Sequence, residues 1–196
     1  MSTTQPIRNK EALDRFRNYY LLQKPHPRNY TLIILGLNTA LRISDILRIK
    51  WSDVYDNQKK QMKSHLEIKE QKTKKEKSIA LNLTVCNALS DYKNDFFSGD
   101  TYDKTRYLFT AAGRENMPLC RQQAYRIIKA AALAAGLTAH ISCHSLRKTF
   151  GYHAWQQGIP PALLMDIYNH SSYNITKRYL CIAQDERDEV YRKILL

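Results

Sequence analysis

His144-Ser145-Leu146-Arg147, then Asn169-His170, then Tyr179 nine residues after that histidine, form the stretch from which the fold of this 196-residue chain can be read. At i and i+3 the imidazole and the guanidinium share one helix face, and Ser142 is placed to cap that helix and aim its first amides at an anion. Arg42, far upstream, supplies a second planar donor fork matched to two phosphate oxygens. A tyrosine phenol titrates near ~10 and is a weak nucleophile, so attack by Tyr179 on a phosphodiester requires surrounding cations or a base. Arg42, Arg147, His144 and His170 provide both.

Around this stretch the chain punctuates itself as a mainly α protein with a small antiparallel β-sheet. Leu13, Phe16, Tyr20 and Leu21 recur at helical spacing from Asn9 to Gln23, until Pro25-His26-Pro27 interrupts them. Residues 28–38 carry the apolar block Leu32-Ile33-Ile34-Leu35 and read as a buried helix. Ser44-Asp45 is expected to cap a short helix through Ile49, with Arg42 in the tight connection before it. Leu66 and Ile68, then Ile79 and Leu81, alternate with polar residues and predict a hairpin whose tip is Glu70–Lys77. Helical character returns over 84–97, 121–135, 144–157 and 160–168, with Gly136 and Gly158 at the C-terminal cap positions.

Lys plus Arg number 31 against 18 Asp plus Glu, a formal charge of +13 that points to a polyanionic partner. Residues 59–77 alone hold eight lysines against three glutamates. The length suits one core, residues 1–196, burying about 70% of its unfolded surface. No apolar run reaches the roughly 18 residues of a membrane span, and no apolar leader follows the N-terminal residues, so a cytoplasmic protein is expected. Cys86, Cys120, Cys143 and Cys181 have no paired spacing of the kind that holds zinc, and reduced thiols are the simpler reading. No carboxylate cluster accompanies the basic groups. The expected chemistry uses neither metal nor cofactor, and fixed cations would stabilise the phosphorane instead.

Four pieces in order, Thr39-Ala40-Leu41-Arg42-Ile43-Ser44-Asp45, Lys72-Thr73-Lys74-Lys75, His144-Ser145-Leu146-Arg147 and Asn169-His170 through Thr176 to Tyr179, resemble the tyrosine recombinases or integrases over residues 10–182. The resemblance implies that family's catalytic-domain fold and DNA strand exchange through a 3′-phosphotyrosyl link on Tyr179, as in integration, excision or inversion. Arg42 and Arg147 would bind the non-bridging oxygens, His144 would transfer protons and His170 would hydrogen-bond the phosphate. Lys72 would protonate the leaving 5′-oxygen, with Lys69, Lys74 and Lys75 as rivals, and Asp45 would buttress Arg42. The family often has glycine where Ala40 stands and usually where Asn169 stands; Asn169 is expected to preserve a left-handed cap, Ala40 to reflect a need for small size. Fewer than thirty residues precede the buried helix, which leaves no room for a core-binding domain and matches short members such as the invertases of bacterial surface-fibre promoters.

Two other activities fit parts of this pattern: type IB topoisomerase-like nicking and closing, and DNA binding without turnover by a regulator. The complete basic set and Tyr179 argue against the regulator. The resemblance further implies double-stranded DNA as partner, a tetramer on DNA, accessory DNA-bending proteins, and a nucleoid location if the source is bacterial. Residues 183–196 form an amphipathic helix with Val190, Tyr191, Ile194 and Leu195 on one stripe and Asp185, Glu186, Asp188 and Glu189 near its start. It docks either on its own domain or, as the resemblance suggests, on a neighbouring protomer.

Overall fold

A computed structural model describes residues 4–96, 105–111, 113 and 116–194. Helices α1 (Lys10–Asn18), which runs into one π-helical turn (Tyr19–Gln23), and α2 (Pro27–Asn38) are followed by the short α3 (Ile43–Ile46) and α4 (Trp51–Val54). Strands β1 (Tyr55–Asp56), β2 (Gln61–Met62), β3 (His65–Lys69) and β4 (Glu76–Ala80) come next, then α5 (Leu83–Phe96), α6 (Arg121–Ala134), α7 (Cys143–Gln156), α8 (Pro161–Tyr168), α9 (Tyr173–Leu180) and α10 (Ala183–Lys193). The end expected for α5 at Phe97, the Leu195 of the C-terminal stripe and the Glu186 side chain lie outside the described residues. Among the described residues no helix is long and apolar enough to cross a membrane.

The central helix is α2. Leu32, Ile33, Ile34 and Leu35 are all buried, which a one-sided amphipathic helix cannot achieve, because α5 and α7 both pack against it. Its Thr31 hydroxyl donates to the Ala88 carbonyl at 2.9 Å. The main core joins these residues to Phe16, Trp51, Tyr92, Phe109 and Ile128. A smaller cluster of Ala40, Leu164, Tyr168, Leu180 and Ile182 lies beside it and carries Tyr179 on its edge. Tyr179 thus stands on a floor that is itself packed.

Among the described residues there are two antiparallel pairs, β1–β2 and β3–β4, where the sequence suggested one hairpin. Strands of two residues carry too little alternation to be seen in a sequence. In the larger pair Leu66 faces Ile79 and Ile68 faces Lys77, so the connecting segment is 70–75, tighter than the expected tip. Arg42 itself is the N-cap of α3, with extended backbone (φ −75°, ψ 147°); Ser44 and Asp45 fall inside that helix and do not cap it. Gly136 and Gly158 take φ values of 73° and 78° after α6 and α7, as their spacing predicts.

Residues before α1 are tied across α7. Ile7 is buried, its N–H donates to Thr149 Oγ1 at 2.9 Å, and Lys148 Nζ donates to the Thr4 carbonyl at 2.7 Å. Arg8 donates to the Cys181 carbonyl (2.6 Å) and pairs with Asp185 (2.9 Å), reaching the start of α10. Beyond that tie the apolar stripe of α10 is bare: Val190, Tyr191 and Ile194 are all exposed.

At Gly151 in α7 an added Cβ would overlap the Tyr168 hydroxyl and Leu180 Cδ2. A Gly→Ala change in a helix interior gains at most about 1 kcal/mol in propensity, whereas overpacking costs about 1–3 kcal/mol. Gly151→Ala is therefore expected to destabilise the fold by about 1–2 kcal/mol, read from the denaturant midpoint. An unchanged or raised midpoint would show that α8 and α9 yield freely.

Candidate active site

Arg147 organises the site. It is 3% exposed, and its guanidinium donates to the carbonyl of Ala40 and, at 3.3 Å, to that of Tyr168. Both carbonyls lie at left-handed turns. Ala40 has φ 53° and Asn169, immediately after Tyr168, has φ 54°. The conformation expected of Asn169 is observed. For Ala40 the size argument is corrected, because this position adopts positive φ despite its Cβ, and that conformation turns its carbonyl to Arg147.

His144 enters at the start of α7, where Ser142 accepts from the His144 N–H (3.3 Å) and its own N–H donates to Ser145 Oγ (3.1 Å). The backbone is thereby fixed at the first turn, where helix amides favour negative charge. His170 follows the left-handed Asn169, and its Nδ1 lies 3.0 Å from the hydroxyl of the buried Thr176. The His170 and Tyr179 rings meet edge to face at 5.3 Å, and both touch Tyr168, at 5.6 and 5.4 Å. The Arg147 guanidinium lies 4.5 Å over the Tyr168 ring. Among the described residues Arg147, His170 and Tyr179 thus form one cluster.

Arg42 finds its partner elsewhere than expected. It makes an ion pair with Glu70 at 2.8 Å, and Glu70 has no exposed side-chain surface. Asp45, also buried, accepts from the Gln71 N–H at 2.9 Å and so anchors the start of the hairpin loop. The ion-pair partner of Arg42 is therefore Glu70, while Asp45 holds the loop that follows and meets Arg42 through charge without a direct bond. Burial raises the Asp45 carboxyl above its ordinary range, although the Gln71 N–H opposes this. For Glu70 burial acts the same way, but the Thr73 hydroxyl (2.6 Å), Lys77 and Arg42 outweigh it and hold the carboxyl low.

Glu70 is the residue that sequence reasoning passed over. Its signal was period two: Leu66, Ile68 and Glu70 share a strand face. The same argument reaches Lys77, on the face of Ile79. Lys77 Nζ donates to the Ile167 carbonyl at 2.5 Å and lies 3.9 Å from Glu70, and burial lowers its pKa. Lys72 is exposed on the loop. Lys75 reaches Asn169, while Lys69 pairs across the strands with Glu76 by backbone register.

Burial, then the charges of Arg121 and Arg147, lowers the pKa of His144; burial, then Arg147 and Arg42, lowers that of His170. Tyr179 moves up through burial, with Arg147 pulling it back by charge and hydrogen bonding. Both histidine shifts favour the neutral imidazole, and the Tyr179 shift favours the protonated phenol. Among the described residues no group of three or more His, Cys, Asp or Glu is placed to hold a metal ion.

Among the described residues, a mostly helical fold with two small antiparallel sheets gathers Arg147, His170 and Tyr179 into one basic cluster within reach of the Arg42 charge, a candidate phosphate-handling site. Residues 10–186 match the phage integrase family, and the chain belongs to it. Over 192 residues it is 41% identical to a probable integrase/recombinase, YoeC, of Bacillus subtilis (strain 168), covering 98% of this chain and 97% of that protein. It is 28% identical over 152 residues to the type 1 fimbriae regulatory protein FimE of Escherichia coli (strain K12), covering 78% of this chain and 73% of that one. The fold is similar to that of the XerH site-specific recombinase bound to a palindromic difH substrate, with a TM-score of 0.69 at 19% identity over 91% of this chain and 49% of that one.

Proposed function

We propose that this chain cleaves and rejoins double-stranded DNA at defined sites, with Tyr179 as the nucleophile. The observation that carries the reading is the single cluster of the buried Arg147 with His170 and Tyr179, joined by the Glu70-backed Arg42 and neutral His144 at the starts of α3 and α7. The Tyr179 oxygen bonds to phosphorus as the phosphorus–5′-oxygen bond breaks. His144 takes the phenol proton, and Lys72 gives one to the departing 5′-oxygen. Arg42 and Arg147 hold the non-bridging oxygens as charge grows there. In the tautomer that carries its proton on Nε2, with Nδ1 against the Thr176 hydroxyl at 3.0 Å, His170 donates to the phosphate. One ester replaces another, so the link stores the energy for religation and no nucleotide is consumed.

The exposed stripe of α10 supports its exchange between protomers in a tetramer on DNA. Accessory DNA-bending proteins and a cytoplasmic, nucleoid-associated location complete this reading.

The test is to mix the protein with fragmented genomic DNA of its source in chelator, denature, and sequence the DNA that stays attached. Adducts at discrete sites are expected from wild type and none from Tyr179→Phe; salt-sensitive binding with no adduct from either would turn the reading to a binding regulator. Joining of two labelled duplexes separates strand exchange from nicking and closing on one.

The pH dependence follows from the imidazoles. A histidine whose pKa is lowered in the folded protein stays neutral below its ordinary value near ~6.5 and charges only as pH falls further. Protonated His144 cannot accept the phenol proton. Single-turnover cleavage should therefore hold level from about pH 7.5 to below about 6.5 and fall on the acid side of that. An acid limb centred at or above that value would remove His144 from the role of base.

A further inference from the structure

Asn169 occupies a position that glycine would fill at less cost, since a left-handed conformation strains residues that carry a Cβ. The cap after α8 does not need its side chain. The Asn169 N–H bonds the Asp166 carbonyl and the His170 N–H bonds that of Met165, both at 2.9 Å, and glycine would make the same bonds. The Asn169 amide oxygen instead accepts from Lys75 Nζ at 2.6 Å, across 94 residues of sequence.

Lys75 closes the loop that carries Lys72. Its carbonyl accepts from the Glu70 N–H at 2.9 Å, and Lys77, two residues on and so on the same strand face, donates to Ile167. Lys75 from the loop and Lys77 from β4 thus grip the last turn of α8 and its cap. A pocket of about 500 Å³ opens between the hairpin, α7 and α8, with Ile79, Phe150, Arg147 and Ile167 among its lining. Across it, the Lys75–Asn169 and Lys77–Ile167 contacts tie the hairpin to the turn that presents His170.

We propose that Asn169 is a positioning residue: with Lys75 it latches the β3–β4 hairpin to the His170 turn, so that Lys72 stands within reach of the leaving oxygen when DNA binds. The proposal rests on the reading of Lys72 as proton donor. It accounts for an asparagine at a left-handed position, since the amide oxygen is what glycine lacks. Lys72 is exposed, so its placement depends on the base of its loop.

The test is single-turnover cleavage of two duplexes, one with the ordinary 5′-oxygen at the scissile phosphate and one with a bridging 5′-sulfur, which departs as thiolate without a proton. Asn169→Gly suits the left-handed turn and removes only the latch. It and Lys75→Met are each expected to slow the oxygen substrate about three- to tenfold and to match wild type on sulfur, the double variant being no slower than either single one. Lys72→Ala should show a larger loss with the same rescue. If Lys72→Ala is equally slow on both duplexes, Lys72 is not the donor and the latch falls with it. If Lys72→Ala is rescued while Asn169→Gly is unimpaired on oxygen, or equally impaired on both, the latch alone is overturned.

Discussion

Tyr179→Phe is expected to lower covalent adduct formation by about 10⁴-fold or more while leaving DNA affinity within about twofold. One oxygen is removed and the ring remains, keeping its contacts with His170 at 5.3 Å and Tyr168 at 5.4 Å and its place beneath Lys148 Nζ at 5.4 Å. Affinity is unaffected because it comes from the basic surface of a chain with formal charge +13, not from a half-buried phenol. The adduct is measured by denaturing electrophoresis and the affinity at two salt concentrations. Neighbouring tyrosines cannot substitute. The Tyr168 hydroxyl is fully buried and donates to the Arg147 carbonyl at 2.6 Å, and burial drives its pKa far upward. An adduct formed by Tyr179→Phe would move the nucleophile elsewhere in the chain.

The range of each contact decides whether the sequence reveals it. The helix face shared by His144 and Arg147, the Ser142 cap and the left-handed Asn169 are set within a few residues, and their spacing predicts them. The partners that tune the charges are distant. Glu70 meets Arg42 only because the chain folds back through β3, which packs on α4, and a local view of Arg42 favours Asp45, three residues away. Strand alternation marks Glu70 as inward-facing, but a lysine-rich loop disguises it as solvated charge. Ala40 shows the limit of residue preference, because an alanine tolerates positive φ when its carbonyl is claimed by a buried guanidinium. Ile7 shows another: one apolar residue in a polar N-terminal run carries no periodicity, yet it is buried against an element 142 residues further on.

Arg147→Lys is expected to cut single-turnover cleavage by about 10²–10³-fold and also to lower stability by about 1–3 kcal/mol, because one side chain serves the fold and the site together. The guanidinium spans two carbonyls, those of Ala40 and Tyr168, and also bears on Tyr179. A lysine carries the same charge on a single compact ammonium, without the planar fork. Whichever carbonyl it satisfies, the other is left buried without a donor, and the turn behind it, at Ala40 or before His170, loses its anchor. Arg42→Lys is the contrast. Arg42 retains 19% side-chain exposure and pairs with one carboxylate, Glu70, which an ammonium can also satisfy, so its stability loss should be the smaller of the two. Urea unfolding gives the stability, and cleavage measured well below the unfolding midpoint separates lost chemistry from lost fold. If Arg147→Lys cleaved within about tenfold of wild type, the fork geometry would be irrelevant to the reaction and charge alone would suffice. If it lost activity without losing stability, the two carbonyl contacts would be incidental to the fold, and the left-handed turns at Ala40 and Asn169 would have to be held by the packing of Leu164, Tyr168 and Leu180 alone.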